Sequence, residues 1–167
     1  MNLAKAEALY QGAVRRAIRE AQELVCEFGA AELTGIDITA LRQRAEWNGQ
    51  PWDWAAELNS LANDPRRFSL AIWHENVLCG LVAGKVSRSG KHVSVTLVEG
   101  NPDEKHPLKG AILKIAMLFG VALCEEHGAN ELRFVEPLTE VVPLYEGYGF
   151  SLETSQNGVP YMVKQVR

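Results

Sequence analysis

Apolar positions in the first part of the chain recur at helical spacing. Leu3, Tyr10, Ala17 and Leu24 fall seven apart, and Val14, Ile18, Ala21, Val25 and Phe28 widen the stripe. The pattern predicts one long amphipathic helix over 3–28, with Arg15, Arg16, Arg19 and Glu20 largely on its other side. Gly29 is placed to stop it. The next stretch, 30–50, is weaker, and reads as a short strand and then a helix from about Thr39. "NGQP" is a turn signal. Pro51 suits the first turn of a helix through about Ala62, with Asp53 favourable near its positive end.

From Phe68 the period changes to two. "RFSLAIWHE", "VLCGLVAGKVS" and "HVSVTLVE" are rich in strand-forming residues. Tight turns at "EN" and "SRSGK" make them an antiparallel meander. The loop "GNPDEKHPLKG" leads into a strongly apolar helix, 111–127, closed by Gly128. "NELRFVE" is a further strand. "PLTEVVPLYEGYG" is a short helix with Pro143 near its start. "FSLETS" and "VPYMVKQV" are strands joined at "QNG". The strand–helix–strand step from 91–99 through 111–127 to 131–136 reads as a parallel crossover. The expected fold is α+β: a mixed, mostly antiparallel sheet with one parallel crossover, flanked by helices, with an extra long N-terminal helix. We expect one domain over 1–167, with a helical part over 1–67 and a core over 68–167.

Composition narrows the function classes. A net charge of -4 argues against binding nucleic acid through bulk charge. Cys26, Cys79 and Cys124 are far apart among apolar neighbours, which predicts buried free thiols. No paired Cys/His spacing predicts a metal site. The first twenty residues are too charged for a signal peptide, and no apolar run reaches about 18 residues. The expectation is therefore a cytoplasmic protein that neither spans a membrane nor holds a metal.

The order of elements, together with "LYEGYGF" at 144–150, resembles the GNAT superfamily of acyl-CoA-dependent N-acetyltransferases. That family's C-terminal signature resembles Leu-Tyr-Glu-x-x-Gly-Phe, which Leu144, Tyr145, Glu146, Gly149 and Phe150 match. The resemblance covers about 68–167. The family's phosphate loop resembles Arg/Gln-x-x-Gly-x-Gly/Ala, and the matching stretch here is "KHPLKG". Lys105 stands where Arg or Gln is usual, Leu108 replaces the first Gly, and Gly110 keeps the second.

The resemblance implies acetyl-CoA as cosubstrate and a primary amine as acceptor. The amides of Leu108, Lys109, Gly110 and Ala111 would bind the coenzyme A pyrophosphate at a helix start, and Lys105, His106 and Lys109 would add positive charge. Tyr145 would be the general acid that protonates the departing thiolate, with Tyr148 as a competing candidate. An oxyanion donor would come from the fourth strand at Val98, Glu99 and Gly100, where Gly100 is consistent with a bulge. Glu99 and Glu136 both close strands near that point, and either could serve as general base; His92 and His106 are further candidates. Trp47, Trp52 and Trp54 are candidates for an acceptor pocket.

The acceptor class stays open among small molecules, protein amines and an aminoacyl group on RNA, the acidic balance counting slightly against the last. A non-catalytic acyl-CoA-binding or regulatory domain of the same fold is the alternative function. A homodimer is also open, with the first helix as a candidate seam.

Overall fold

Asn2 starts the first helix: its side chain accepts the Lys5 amide at 2.8 Å, capping α1 (Leu3–Leu24). The structure is a computed structural model that describes residues 2–48 and 52–167. The helix predicted over 3–28 is α-helical only to Leu24. It tightens into a 3-10 turn over Val25–Phe28 before Gly29, whose φ is 72°. The buried stripe is Ala13, Val14, Ala17 and Ala21, whereas Leu3 and Leu24 are exposed. This stripe belongs to the main core, which α1 shares with α4, so the apolar face proposed as a dimer seam is already used within the chain.

The strands follow as β1 (Ala31–Thr34), β2 (Arg67–His74), β3 (Val77–Val86), β4 (His92–Gly100), β5 (Glu131–Val135), β6 (Ser151–Thr154) and β7 (Pro160–Gln165). Between them lie α2 (Ile38–Ala45), α3 (Trp54–Leu61), α4 (Ile112–His127) and α5 (Val142–Gly147). Asp37 and Asp53 cap α2 and α3 by accepting the amides of Ala40 and Ala56. The Pro51 expectation lies outside the described residues. One seven-stranded sheet runs β1-β2-β3-β4-β5-β7-β6, antiparallel except for the β4–β5 pair that α4 connects.

Alternation sorts each strand between two cores. Phe68, Leu70 and Ile72 of β2 face α1 and α4, while Ala71 and Trp73 face α2 and α3. Tyr145, Phe150 and Met162 extend the first core beneath α5. Cys79 and Cys124 are buried, and burial pushes the Cys124 thiol up to about 12. Cys26 departs from the expectation: it is exposed, on the outer side of the 3-10 turn.

Three histidines are held neutral by burial. Desolvation lowers the pKa of His92, His106 and His127 below the usual 6.5. His106 Nδ1 also accepts the Leu108 amide at 3.3 Å, a bond that only the unprotonated nitrogen can make. The unfolded chain therefore binds more protons than the native chain just below pH ~6.5, and stability rises with pH there. We expect the urea midpoint to be flat above pH ~6.5 and to fall as pH drops through the window beneath it. A midpoint that held or rose on acidification from pH ~7 to ~5.5 would contradict this.

Candidate functional site

The site is made by two strands that part. β4 and β5 pair only from His92↔Glu131 to Val95↔Phe134, while β4 continues to Gly100 beside β3. The parting begins at a bulge. On β3, Gly84 pairs with Val95 and Ala83 with Leu97, leaving Thr96 as the extra residue. Thr96 Oγ1 donates to the Ala83 carbonyl at 3.2 Å. Only glycine fits opposite, since a Cβ on Gly84 would stand 2.0 Å from the Ser94 carbonyl oxygen. The bulge expected at Gly100 thus lies four residues earlier; Gly100 pairs regularly with Gly80.

The extra residue reverses the alternation. Val93 and Val95 face the α4 core, and after Thr96 it is Val98 that packs there, while Leu97 joins the other core. Val98 and Gly100 line the resulting cleft, and Glu99 is turned to the opposite face. There the Glu99 carboxylate is buried. Its Oε1 accepts from Arg44 Nε and from Trp54 Nε1 at 3.1 Å, while Oε2 has no partner among the described residues. Arg44 Nη2 also donates to the Trp52 carbonyl at 2.6 Å, and the guanidinium lies 5.7 Å over the Trp47 ring.

The cleft holds about 230 Å³. Its β4 wall is Val95, Thr96, Val98 and Gly100, and its other wall is Phe134 to Leu138 with Val141, Leu144 and Tyr145 of the following turn and helix. Ile112 and Leu113 of α4 and the indole-bearing Trp52 complete the lining. Tyr145 is 5% exposed, with its ring 5.0 Å from Phe134 and 5.7 Å from Phe150. Its hydroxyl makes no hydrogen bond to a described residue, and desolvation raises its pKa well above 10. Tyr148 is outside the cleft lining, with its amide bonded to the Tyr145 carbonyl.

Glu136 also lines the cleft. It follows β5 with φ 52°, a left-handed conformation rare for a residue with a side chain. The Glu136 amide donates to the Pro160 carbonyl at 2.9 Å, which holds the turn against β7.

At the start of α4 the amides divide into two groups. Those of Leu108, Lys109 and Ala111 are used inside the loop, by His106 Nδ1, the His106 carbonyl and the Leu108 carbonyl. Those of Gly110, Ile112, Leu113 and Lys114 have no partner among the described residues, as the first turn of a helix requires. Gly110, at φ 84°, turns the chain into the helix. Lys105 is exposed with its amide on Asp103 Oδ1, and Lys109 pairs with Glu104 at 3.2 Å. Leu108 is buried in the main core rather than open to the cleft.

The structure therefore brings together Tyr145, Glu136, Val98, Gly100 and Trp52. It sets Glu99 and Trp54 behind the β4 wall, and Trp47 beside a separate polar depression with Asn101 and Asp103. His92 begins β4, at the end away from the parting. Thr96 and Arg44 carry no sequence signal for their places: Thr96 sits in an unbroken strand pattern, and Arg44 in a polar stretch of a short helix. Among the described residues no group of His, Cys, Asp and Glu could hold a metal ion, and no helix is long and apolar enough to cross a membrane.

Solved structures share this architecture. The PaiA N-acetyltransferase of Thermoplasma acidophilum, in complex with coenzyme A, matches at a TM-score of 0.55 and 15% identity over 81% of this chain and 99% of its own. A spermidine N-acetyltransferase SpeG chimera from Vibrio cholerae and hSSAT matches at 0.62 and 15%, over 83% and 96%. The ribosomal-protein-S18-alanine N-acetyltransferase of Escherichia coli matches at 0.56 and 14%, over 80% and 90%. The chain has the GNAT fold. No family model matches it, and no curated protein matches its sequence. The parted seam, the bulged β4 and the α4 N-terminus surround the cleft.

Proposed function

We propose that the protein is an N-acetyltransferase that moves the acetyl group of acetyl-CoA to a primary amine. The observation that carries the reading is the cleft between parted β4 and β5 with Tyr145, whose hydroxyl bonds to no described residue, in its lining. The residues fit the cosubstrate: the free amides of Gly110, Ile112, Leu113 and Lys114 suit a pyrophosphate, with Lys105 adding charge. The unpaired edge of β4 beyond Val95 suits the amides of a pantetheine arm, as an added strand would.

In this reading a backbone N–H of the Val98–Gly100 segment stabilises the oxyanion that forms when the amine attacks. Such a donor contributes about 3 kcal/mol. Tyr145 holds its proton on the phenol oxygen until the C–S bond breaks, then gives it to the sulfur. Glu136, on the cleft wall, takes the proton released as the C–N bond forms. Glu99 faces away from the cleft, so it is not the base; in its observed place it acts on the acceptor side by anchoring Arg44 and, through it, Trp52. Trp52 is the acceptor contact among the three tryptophans. The acceptor is a small-molecule or protein amine, two classes that the names of the fold neighbours include. We place the protein in the cytoplasm.

Thermal melting with acetyl-CoA tests the reading. At ligand near 100 times its Kd, the native state gains about 2.7 kcal/mol. No shift at millimolar acetyl-CoA would end the proposal. A shift without thiol release across a panel of amines would instead favour the acyl-CoA-binding domain of the same fold.

A further inference from the structure

A sheet has two edges, and this one treats them differently. At β1 the side chain of Gln22 stands in for a neighbouring strand: its Nε2 donates to the Ala31 carbonyl at 2.8 Å and its Oε1 accepts the Leu33 amide at 2.7 Å. At the other edge all four residues of β6 are exposed, and nothing among the described residues takes the place of Gln22. β6 carries no proline, lysine or bulge; of the usual guards of a free edge it has only its four-residue length and the Glu153 charge.

The register shows which groups β6 leaves free. Thr154 lies opposite Pro160, which has no N–H and whose carbonyl is turned to Glu136 on the β5 side. Thr154 and Pro160 are therefore a non-bonded pair, and alternation turns the amides and carbonyls of Leu152 and Thr154 outward. Leu152 shares a sheet face with Phe150 and with its partner Met162, yet is 53% exposed. Tyr148, at the end of α5 over that face, is 37% exposed, and its carbonyl accepts from Lys164 Nζ at 2.8 Å.

We propose that β6 is a dimer interface, occupied by the β6 of a second copy in antiparallel pairing centred on Leu152. A two-fold axis normal to the sheet keeps each side chain on its own face, so the centre must be a residue opposite itself. Centring on Glu153 would set two carboxylates directly opposite, which is destabilising. Centring on Leu152 sets two leucines opposite, lets their backbones exchange both N–H···O bonds, and places each Ser151 hydroxyl across from the partner copy's Glu153 carboxylate. The pairing closes on itself, so assembly stops at two.

Sedimentation velocity on the full chain, up to the millimolar range, tests this. We expect a species of twice the 18.5 kDa chain mass. Leu152→Lys, at an exposed position, removes that species and leaves the thermal melt cooperative. Ser151→Glu also weakens it by opposing Glu153, and Ser151→Glu with Glu153→Lys restores it. A wild type that stays monomeric, larger assemblies, or a dimer indifferent to these variants would each overturn the proposal. None of these results depends on the acetyl-CoA reading, which the thermal shift tests separately.

Discussion

Tyr145→Phe is expected to lower kcat for acetyl transfer by about 10²–10⁴-fold while leaving acetyl-CoA binding intact. The substitution keeps the ring that packs against Phe134 and Phe150 and removes only the hydroxyl. That hydroxyl bonds to no described residue, so its loss leaves no buried partner orphaned and gives no reason for the fold to weaken. Burial raises the phenol's pKa, so it is protonated across any practical assay range, and its proton is available to a thiolate whose reference pKa is ~8.5. Steady-state thiol release and the acetyl-CoA thermal shift separate the two effects. Turnover equal to wild type, with an unchanged melt, would make Tyr145 a packing residue only. Tyr148→Phe is the control, and should leave turnover alone.

The sheet and the main helices were legible because each repeats its signal over many residues: period two in "HVSVTLVE", an apolar run through most of α4, and a glycine closing it. "LYEGYGF" put Tyr145 on the short helix α5, where its ring and that of Phe150 both pack on Phe134 of β5. What escaped was local and non-periodic. One inserted residue at Thr96, with no glycine or proline of its own, decides whether Glu99 faces the cleft or Arg44. Its enabling feature is Gly84 on the neighbouring strand, which reads as one more small residue. In α1 the large residues Leu3 and Leu24 drew the stripe, yet the buried positions are Ala13, Val14, Ala17 and Ala21, since close approach selects for size and not for apolar bulk. The phosphate loop shows the same limit. Which amides stay free depends on His106, Asp103 and the loop's own turns rather than on composition.

Arg44 shows how far a long-range pair can hide, and its removal is the second large effect we expect. In "LRQRAE" it reads as part of a solvated helix face, yet it is buried against a carboxylate 55 residues away. The side chains of Arg44 and Glu99 are only 10% and 6% exposed. Among the described residues, Arg44→Met would leave the Glu99 carboxylate with one neutral donor, Trp54 Nε1, and an Oε2 that already lacks a partner. Breaking such a buried pair from one side costs about 3–5 kcal/mol, because the remaining charge stays desolvated. Replacing both partners, as in Arg44→Met with Glu99→Leu, should recover most of that loss, since no charge is then buried. Urea unfolding of the two single variants and the double gives the coupling directly. A loss near 1 kcal/mol or less for Arg44→Met would mean that water screens the pair, as it does an exposed one. Recovery in the double variant would restore the fold without restoring Trp52's anchor, because the Trp52 carbonyl would still lack the Arg44 donor. Stability regained with acceptor turnover still impaired is therefore the outcome that ties the Arg44–Glu99 pair to the Trp52 side of the cleft as well as to the core.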